Sequence, residues 1–169
     1  MGISLVPSTP HEGMTLISTT TLSGASTTLS NIPLSYNKLS LTIYGMTNAT
    51  ADGVLRINPN GGATGSFWGT KITSTTALAV ADGWIGYGAT NASRTNSDNA
   101  VTLEINTHNI NSTSMRTISL TGSYFGASHI GILNFASVYQ VGGTPITSLV
   151  ISNTGGNWST GTALLYGVN

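Results

Sequence analysis

Leu39-Ser40-Leu41-Thr42-Ile43 decides the fold class. Apolar and hydroxyl side chains alternate with a period of two, which gives a strand one dry face and one wet face. Val101-Thr102-Leu103-Glu104-Ile105 repeats the pattern, and Ile118-Ser119-Leu120-Thr121 is a shorter copy. Leu55-Arg56-Ile57, Leu149-Val150-Ile151 and Leu164-Leu165-Tyr166-Gly167-Val168 read as further strands. No window carries a sustained helical period, and good helix formers are scarce.

The punctuation between these segments agrees. Asp52-Gly53, Asp82-Gly83, Asn60-Gly61-Gly62, Gly142-Gly143 and Gly155-Gly156-Asn157 are turn signals, and Asn31-Ile32-Pro33 marks another break. The reading is an all-β, antiparallel β-sandwich, jelly-roll-like, with about eight strands. Residues 1–13 hold Pro7 and Pro10 and few strand formers, so they are expected to form an extended N-terminal arm, either docked or disordered. Residues 14–169 are then a single domain. Residues 60–100 read as long loops with a short strand around Trp84-Ile85-Gly86-Tyr87. There is no internal repeat and no linker.

Composition supports a folded domain that lives by association. A chain of 169 residues fits one domain and buries roughly 70% of its unfolded surface. Only 6% of residues are charged, against roughly 25% in typical globular proteins. The formal net charge is zero, and neutrality favours association. The few Lys and Arg residues are dispersed, so no basic stripe exists to neutralise phosphates and nucleic acid is not an expected partner. No apolar run approaches the roughly 20 residues that span a bilayer, so no membrane insertion is expected. Met1–Glu12 has neither a basic start nor an apolar h-region, so no secretory signal is read there. With no cysteines, disulfides and thiolate metal sites are excluded.

The chain is poor in reactive side chains. Its carboxylates are Glu12, Asp52, Asp82, Asp98 and Glu104, and its histidines are His11, His108 and His129. Asp52 and Asp82 precede glycine and read as turn formers. Glu104 reads as a solvated strand residue, and its spacing from His108 near a strand end does not by itself make a pair. Nothing has the spacing of a metal site. Asp98 lies in a polar loop that lacks the EF-hand pattern of a calcium site. No G-x-S-x-G elbow occurs, and Gly61-Gly62-Ala63-Thr64-Gly65 lacks the lysine of a phosphate loop. The Asn-x-Ser/Thr matches at Asn48, Asn91, Asn111 and Asn157 arise readily in a chain so rich in these residues. No catalytic residue, cofactor or metal is expected.

Trp68, Trp84 and Tyr87 are the candidate binding residues. Aromatic side chains of this kind either cap the ends of a sandwich core or form a stacking or subunit-contact patch. Trp158 follows a Gly-Gly-Asn turn and reads as a core plug.

Several segments resemble a group of small bacteriophage virion structural proteins. Asn31-Ile32-Pro33, then Tyr36-Asn37-Lys38-Leu39-Ser40-Leu41-Thr42-Ile43, resembles the opening of that group, and Leu55-Arg56-Ile57-Asn58 resembles a strand ending in Asn at a turn. The C-terminus is the nearest likeness: Ile146-Thr147-Ser148-Leu149, Gly155-Gly156-Asn157-Trp158, Gly161-Thr162 and Leu164-Leu165-Tyr166-Gly167-Val168. The group commonly ends in an aromatic after Gly-Asn, then Gly-Ser or Gly-Thr, then Leu-Tyr-Gly and an aliphatic residue. The chain departs from it at Asn58-Pro59-Asn60-Gly61-Gly62, where an Asp often follows Asn-Gly.

The resemblance spans most of the chain beyond residue 14 and rests on strands and turns, with no chemical motif. It implies a non-enzymatic virion protein of jelly-roll type, in a tail, baseplate, fibre or capsid decoration. Such a protein would be made in the host bacterial cytoplasm and would contact other virion proteins as a homo-oligomer, with a trimer favoured. The alternative is a carbohydrate-binding, receptor-recognition module of a phage tail, stacking host surface glycan on Trp68, Trp84 and Tyr87. A third reading, a polysaccharide depolymerase, is opposed by the thin supply of carboxylates and histidines.

Overall fold

The computed structural model describes the backbone over residues 13–48, 55–61, 66–71, 77–80, 84–86, 101–108, 110–111, 115–126, 129–140, 144–153 and 156–169. Side chains are described over 13–47, 57–61, 110–111, 119, 144–152 and 156–169. The arm expected over residues 1–13 lies almost wholly outside this range.

Among the described residues the chain is all-β, with no helix and with two antiparallel sheets. With strands numbered in chain order, one sheet runs β1 (Met14–Thr21), β12 (Trp158–Val168), β3 (Lys38–Asn48), β8 (Val101–His108), β9 (Met115–Gly126), β10 (His129–Gln140), β5 (Ser66–Lys71), β6 (Ala77–Val80). The other runs β2 (Ser26–Leu29), β11 (Leu149–Asn153), β4 (Leu55–Pro59), β7 (Trp84–Gly86). The described residues hold twelve strands, against the eight or so expected and the seven segments named in the sequence. The additions are β1, β2, β5, β6 and β10, and β5 and β6 fall where long loops were expected.

The alternation in Leu39–Ile43 is kept on its apolar side and only in part on the other. Leu39, Leu41 and Ile43 are at most 1% exposed; of the hydroxyl residues between them Thr42 is half-buried, but Ser40 is buried at 4%, so the face expected to be wet is covered there. β12 pairs beside β3 in matching phase: Leu165 faces Leu41 in register, and Ala163 faces Ile43. In the second sheet Leu149 and Ile151 on β11 pair with Leu29 and Thr27 on β2 and with Pro59 and Ile57 on β4. The inward residues of both sheets join one buried cluster, which also holds Leu22, Ile32, Met46, Ile110, Ile146 and Trp158. Each large apolar side chain in it contributes about 1.5–3 kcal/mol.

A bulge keeps β3 in phase. Gly45 takes φ 61, and the pairing with β8 skips from Ile43 to Met46. The extra residue lets Ile43 and Met46 both point inward, where an unbroken strand would send Met46 out. Thr160 Oγ1 donates to the Gly45 carbonyl at 2.6 Å and secures the irregularity from β12.

Hydrogen bonds staple the loop residues 32–37, 60, 110–111 and 145–148 to one another. The Ile32 N–H donates to the Thr147 carbonyl, Ile110 N–H to Asn37 and Ile146 N–H to Ile110, which carries Ile32, Ile110 and Ile146 into the core. Asn111 Nδ2 donates to the carbonyls of Leu34 (2.6 Å) and Tyr36 (2.8 Å). Asn60, at φ 54, donates from Nδ2 to the Pro145 carbonyl. Its Oδ1 accepts from Thr147 N–H and Oγ1 and from Ser148 N–H. The Asn-Gly turn signal is therefore a turn whose side chain also holds the approach to β11.

Candidate functional site

The outer face of β1, β12 and β3 is where the described surface departs from an ordinary wet sheet. β12 ends in Ala163-Leu164-Leu165-Tyr166-Gly167-Val168, an apolar run with no polar alternate. Continuous runs of this kind are the mark of strands covered on both faces. Here Ala163, Leu165 and Gly167 are buried inward, while Leu164, Tyr166 and Val168 are only half-buried on the other side.

The register builds the patch outward from β12. Met14 lies opposite Val168, and Leu16 opposite Tyr166. Both β1 residues are more than half exposed, Met14 at 55% and Leu16 at 51%. On the other flank, β3 sets Lys38, Ser40, Thr42 and Tyr44 beside Val168, Tyr166, Leu164 and Thr162. Tyr44 is 43% exposed. Of the four large exposed hydrophobic residues among those described, Met14, Leu16 and Tyr44 lie on this face, and Leu34 lies in the loop before β3.

Charge is absent from nearly all of it. Neither Gly13–Asn37 nor Thr117–Asn169 contains an Asp, Glu, Lys or Arg. Lys38, at the end of β3, is the one such residue whose register position lies on these three strands.

The C-terminal signature has a packing explanation. A Cβ on Gly167 would lie 2.3–2.5 Å from ring carbons of Tyr36, so the ring lies directly on the glycine backbone. Asn37 N–H donates to the Val168 carbonyl beside it. Gly161, at φ 141, leaves room for Leu22, whose Cδ1 would sit 2.8 Å from an added Cβ. Trp158 is 7% exposed and belongs to the core, as its sequence position implied.

The sequence candidates occupy different places. Trp68 stands on β5 of the larger sheet, opposite Val138 and Ala79. Trp84 stands on β7, at the edge of the smaller sheet, opposite Ile57. Tyr87 lies outside the described residues, as do His11, Glu12, Asp52, Asp82 and Asp98. Glu104 and His108 both fall on β8, opposite Thr42 and Lys38. Four residues along a strand separate their backbones by about 13 Å, so the strand does not bring the two together. Among the described residues no three His, Asp or Glu side chains gather as a metal site. No helix among them is long and apolar enough to cross a membrane.

Sequence reasoning passed over Met14 and Leu16, since they follow the proline-bearing segment and precede a run of hydroxyl residues. The signal that leads to them is the unalternating run at Ala163–Val168, whose outer side chains need neighbours. Compared with protein-family models, curated proteins and solved structures, the chain matches none.

Proposed function

We propose that this chain is a non-enzymatic structural component of a bacteriophage virion, a capsid decoration or a tail fibre or baseplate part, that works by contact with other subunits. The observation that carries the proposal is the outer face of β1, β12 and β3, where Lys38 is the one charged residue and Met14 and Leu16 stand half-exposed beside Tyr166 and Val168. A patch of this composition gains free energy when water leaves it. The chain's zero net charge sets no long-range repulsion against crowding on a particle. The likeness of residues 31–43 and 146–168 to small virion proteins supplies the particle, and with it a threefold homo-oligomer.

The finer fold that fits this reading is a jelly-roll-like sandwich. Two antiparallel sheets contributing to one buried cluster favour it. The test is immunogold labelling of purified phage particles with an antibody to this chain. Gold at one repeated position on head or tail is the expected result. Unlabelled particles, with the chain left in the cleared lysate, would sink the proposal.

A further inference from the structure

We infer that Asn60 is a gated deamidation site, whose side-chain amide survives while residues 145–148 stay docked on it and converts to a carboxylate when they lift away. The inference stands apart from the virion reading, since it needs only the turn and its clamp.

The chemistry lies in two neighbouring residues. Asn60-Gly61 is the one Asn-Gly pair in the chain. An Asn side chain can close a five-membered ring on the next backbone nitrogen, and glycine, with no Cβ, leaves that nitrogen open to approach. The Gly61 nitrogen gives up its proton and bonds to Asn60 Cγ. The Cγ–Nδ2 bond breaks, and Nδ2 leaves as ammonia with that proton. Water then opens the succinimide at either carbonyl, to an aspartyl or an isoaspartyl residue. Water is the only co-reactant.

The structure supplies both the exposure and the gate. Asn60 and Gly61 are exposed, so water reaches them. The Gly61 N–H donates to the Asn58 carbonyl at 3.4 Å, beyond the usual range for such a bond. The Asn60 amide is held more firmly. Its Nδ2 donates to the Pro145 carbonyl at 2.8 Å, and its Oδ1 accepts from Thr147 N–H at 2.8 Å and from Thr147 Oγ1 and Ser148 N–H at 3.2 Å. The Asn60 N–H donates to the Ser148 carbonyl at 2.9 Å, so the backbone is tied to the same segment.

Ring closure turns the carboxamide toward Gly61 and expels Nδ2, so the clamp bonds are given up on the way. Four bonds at the low end of their usual worth correspond to a rate roughly 30-fold lower. Ile146 holds the segment down: it is fully buried, and its N–H donates to the Ile110 carbonyl.

Conversion is one-way. A carboxylate has no donor for the Pro145 carbonyl. An isoaspartyl link adds a methylene to the backbone of a turn held at φ 54. Each opening of the segment therefore leaves a lasting mark, and adds a negative charge to a chain whose net charge is zero.

The experiment incubates the full chain in mildly alkaline buffer, folded or unfolded in urea. Conversion at Asn60 is followed by peptide mass spectrometry, with isoaspartyl products resolved by retention. Ile146→Ala loosens the anchor of the clamp. Leu41→Ala removes an equally large buried side chain from β3, which carries none of the clamp bonds. Asn60→Gly identifies the converted peptide. The variants are compared at urea concentrations that leave equal fractions folded.

The unfolded wild type is expected to convert roughly 30-fold faster than the folded one. Ile146→Ala should speed conversion of the folded chain at least ~5-fold more than Leu41→Ala does, because the opening is local. A folded chain that converts as fast as the unfolded one, or faster, overturns the inference, since the three donors on Oδ1 would then assist ring closure. Equal effects of Ile146→Ala and Leu41→Ala overturn it too, by making global unfolding the gate. So does an unfolded chain that never converts.

Discussion

Replacing Asn60 with glycine removes one side chain that makes four hydrogen bonds, while the backbone at φ 54 stays comfortable. The distances are 2.8 Å from Nδ2 to the Pro145 carbonyl, and 2.8, 3.2 and 3.2 Å to Oδ1 from Thr147 N–H, Thr147 Oγ1 and Ser148 N–H. The site is exposed, so water replaces part of what is lost. At about 0.5 kcal/mol for each bond, the low end of the usual range, Asn60→Gly costs about 2 kcal/mol. Asn60→Ala loses the same bonds and also forces a Cβ into the left-handed region, which adds about 1–2 kcal/mol. Asn60→Asp keeps the three acceptor bonds and loses the one donor, so it falls between wild type and glycine. The assay is urea unfolding followed by tryptophan fluorescence, with thermal melts as a check. For a chain of this length, each kcal/mol lowers Tm by about 2–4 °C, so glycine should cost about 4–8 °C and alanine more. Glycine within about 0.5 kcal/mol of wild type would refute the clamp, as would alanine no worse than glycine.

The remaining expectations are briefer. Gly167→Ala should destabilise by about 2–3 kcal/mol, because the new Cβ expels the Tyr36 ring. Adding Tyr36→Ala should recover part of that loss, and strict additivity of the two in chemical denaturation would contradict the contact. Leu41→Ala, at 1% exposure, should cost about 2–5 kcal/mol. Leu16→Ala, half-exposed, should change stability by less than about 0.5 kcal/mol. Equal stability losses at the two positions would show that the inner and outer faces are misassigned.

What the sequence made legible follows from how each strand is buried. Leu39–Ile43, Leu55–Ile57, Val101–Ile105, Ile118–Thr121, Leu149–Ile151 and Leu164–Val168 all fall inside observed strands, β3, β4, β8, β9, β11 and β12. The period of two shows in Leu39–Ile43, whose apolar residues pack the core, whereas Leu149–Ile151 and Leu164–Val168 are legible as unbroken apolar runs between turn signals. β1 and β2 escaped for the opposite reason. Ser18-Thr19-Thr20-Thr21 and Ser26-Thr27-Thr28 are hydroxyl-rich, and such residues serve turns as readily as strands. Only pairing with β12 and β11 decides between the two, and that pairing spans most of the chain. β5 and β6 lie in a stretch of Gly, Ala, Ser and Thr, and they pair with β10 and with each other, which local pattern does not announce.

The candidate site was less legible than the fold. Aromatic residues drew the search to Trp68 and Trp84, which the topology puts in different sheets. The exposed apolar face instead assembles Met14 and Leu16 with Tyr166 and Val168, some 150 residues apart in sequence, through register alone. Gly167 shows the same point from inside. Its place in the Leu-Tyr-Gly ending makes physical sense only once Tyr36 is seen lying on it.

The central claim is that this chain works by occupying defined places on a particle. Its most direct test is reconstitution: purified wild-type chain titrated onto phage particles assembled without it, with bound copies counted after gradient separation. The account expects saturable binding at a fixed number of copies per particle. Binding that never saturates, or no binding at all, would contradict it.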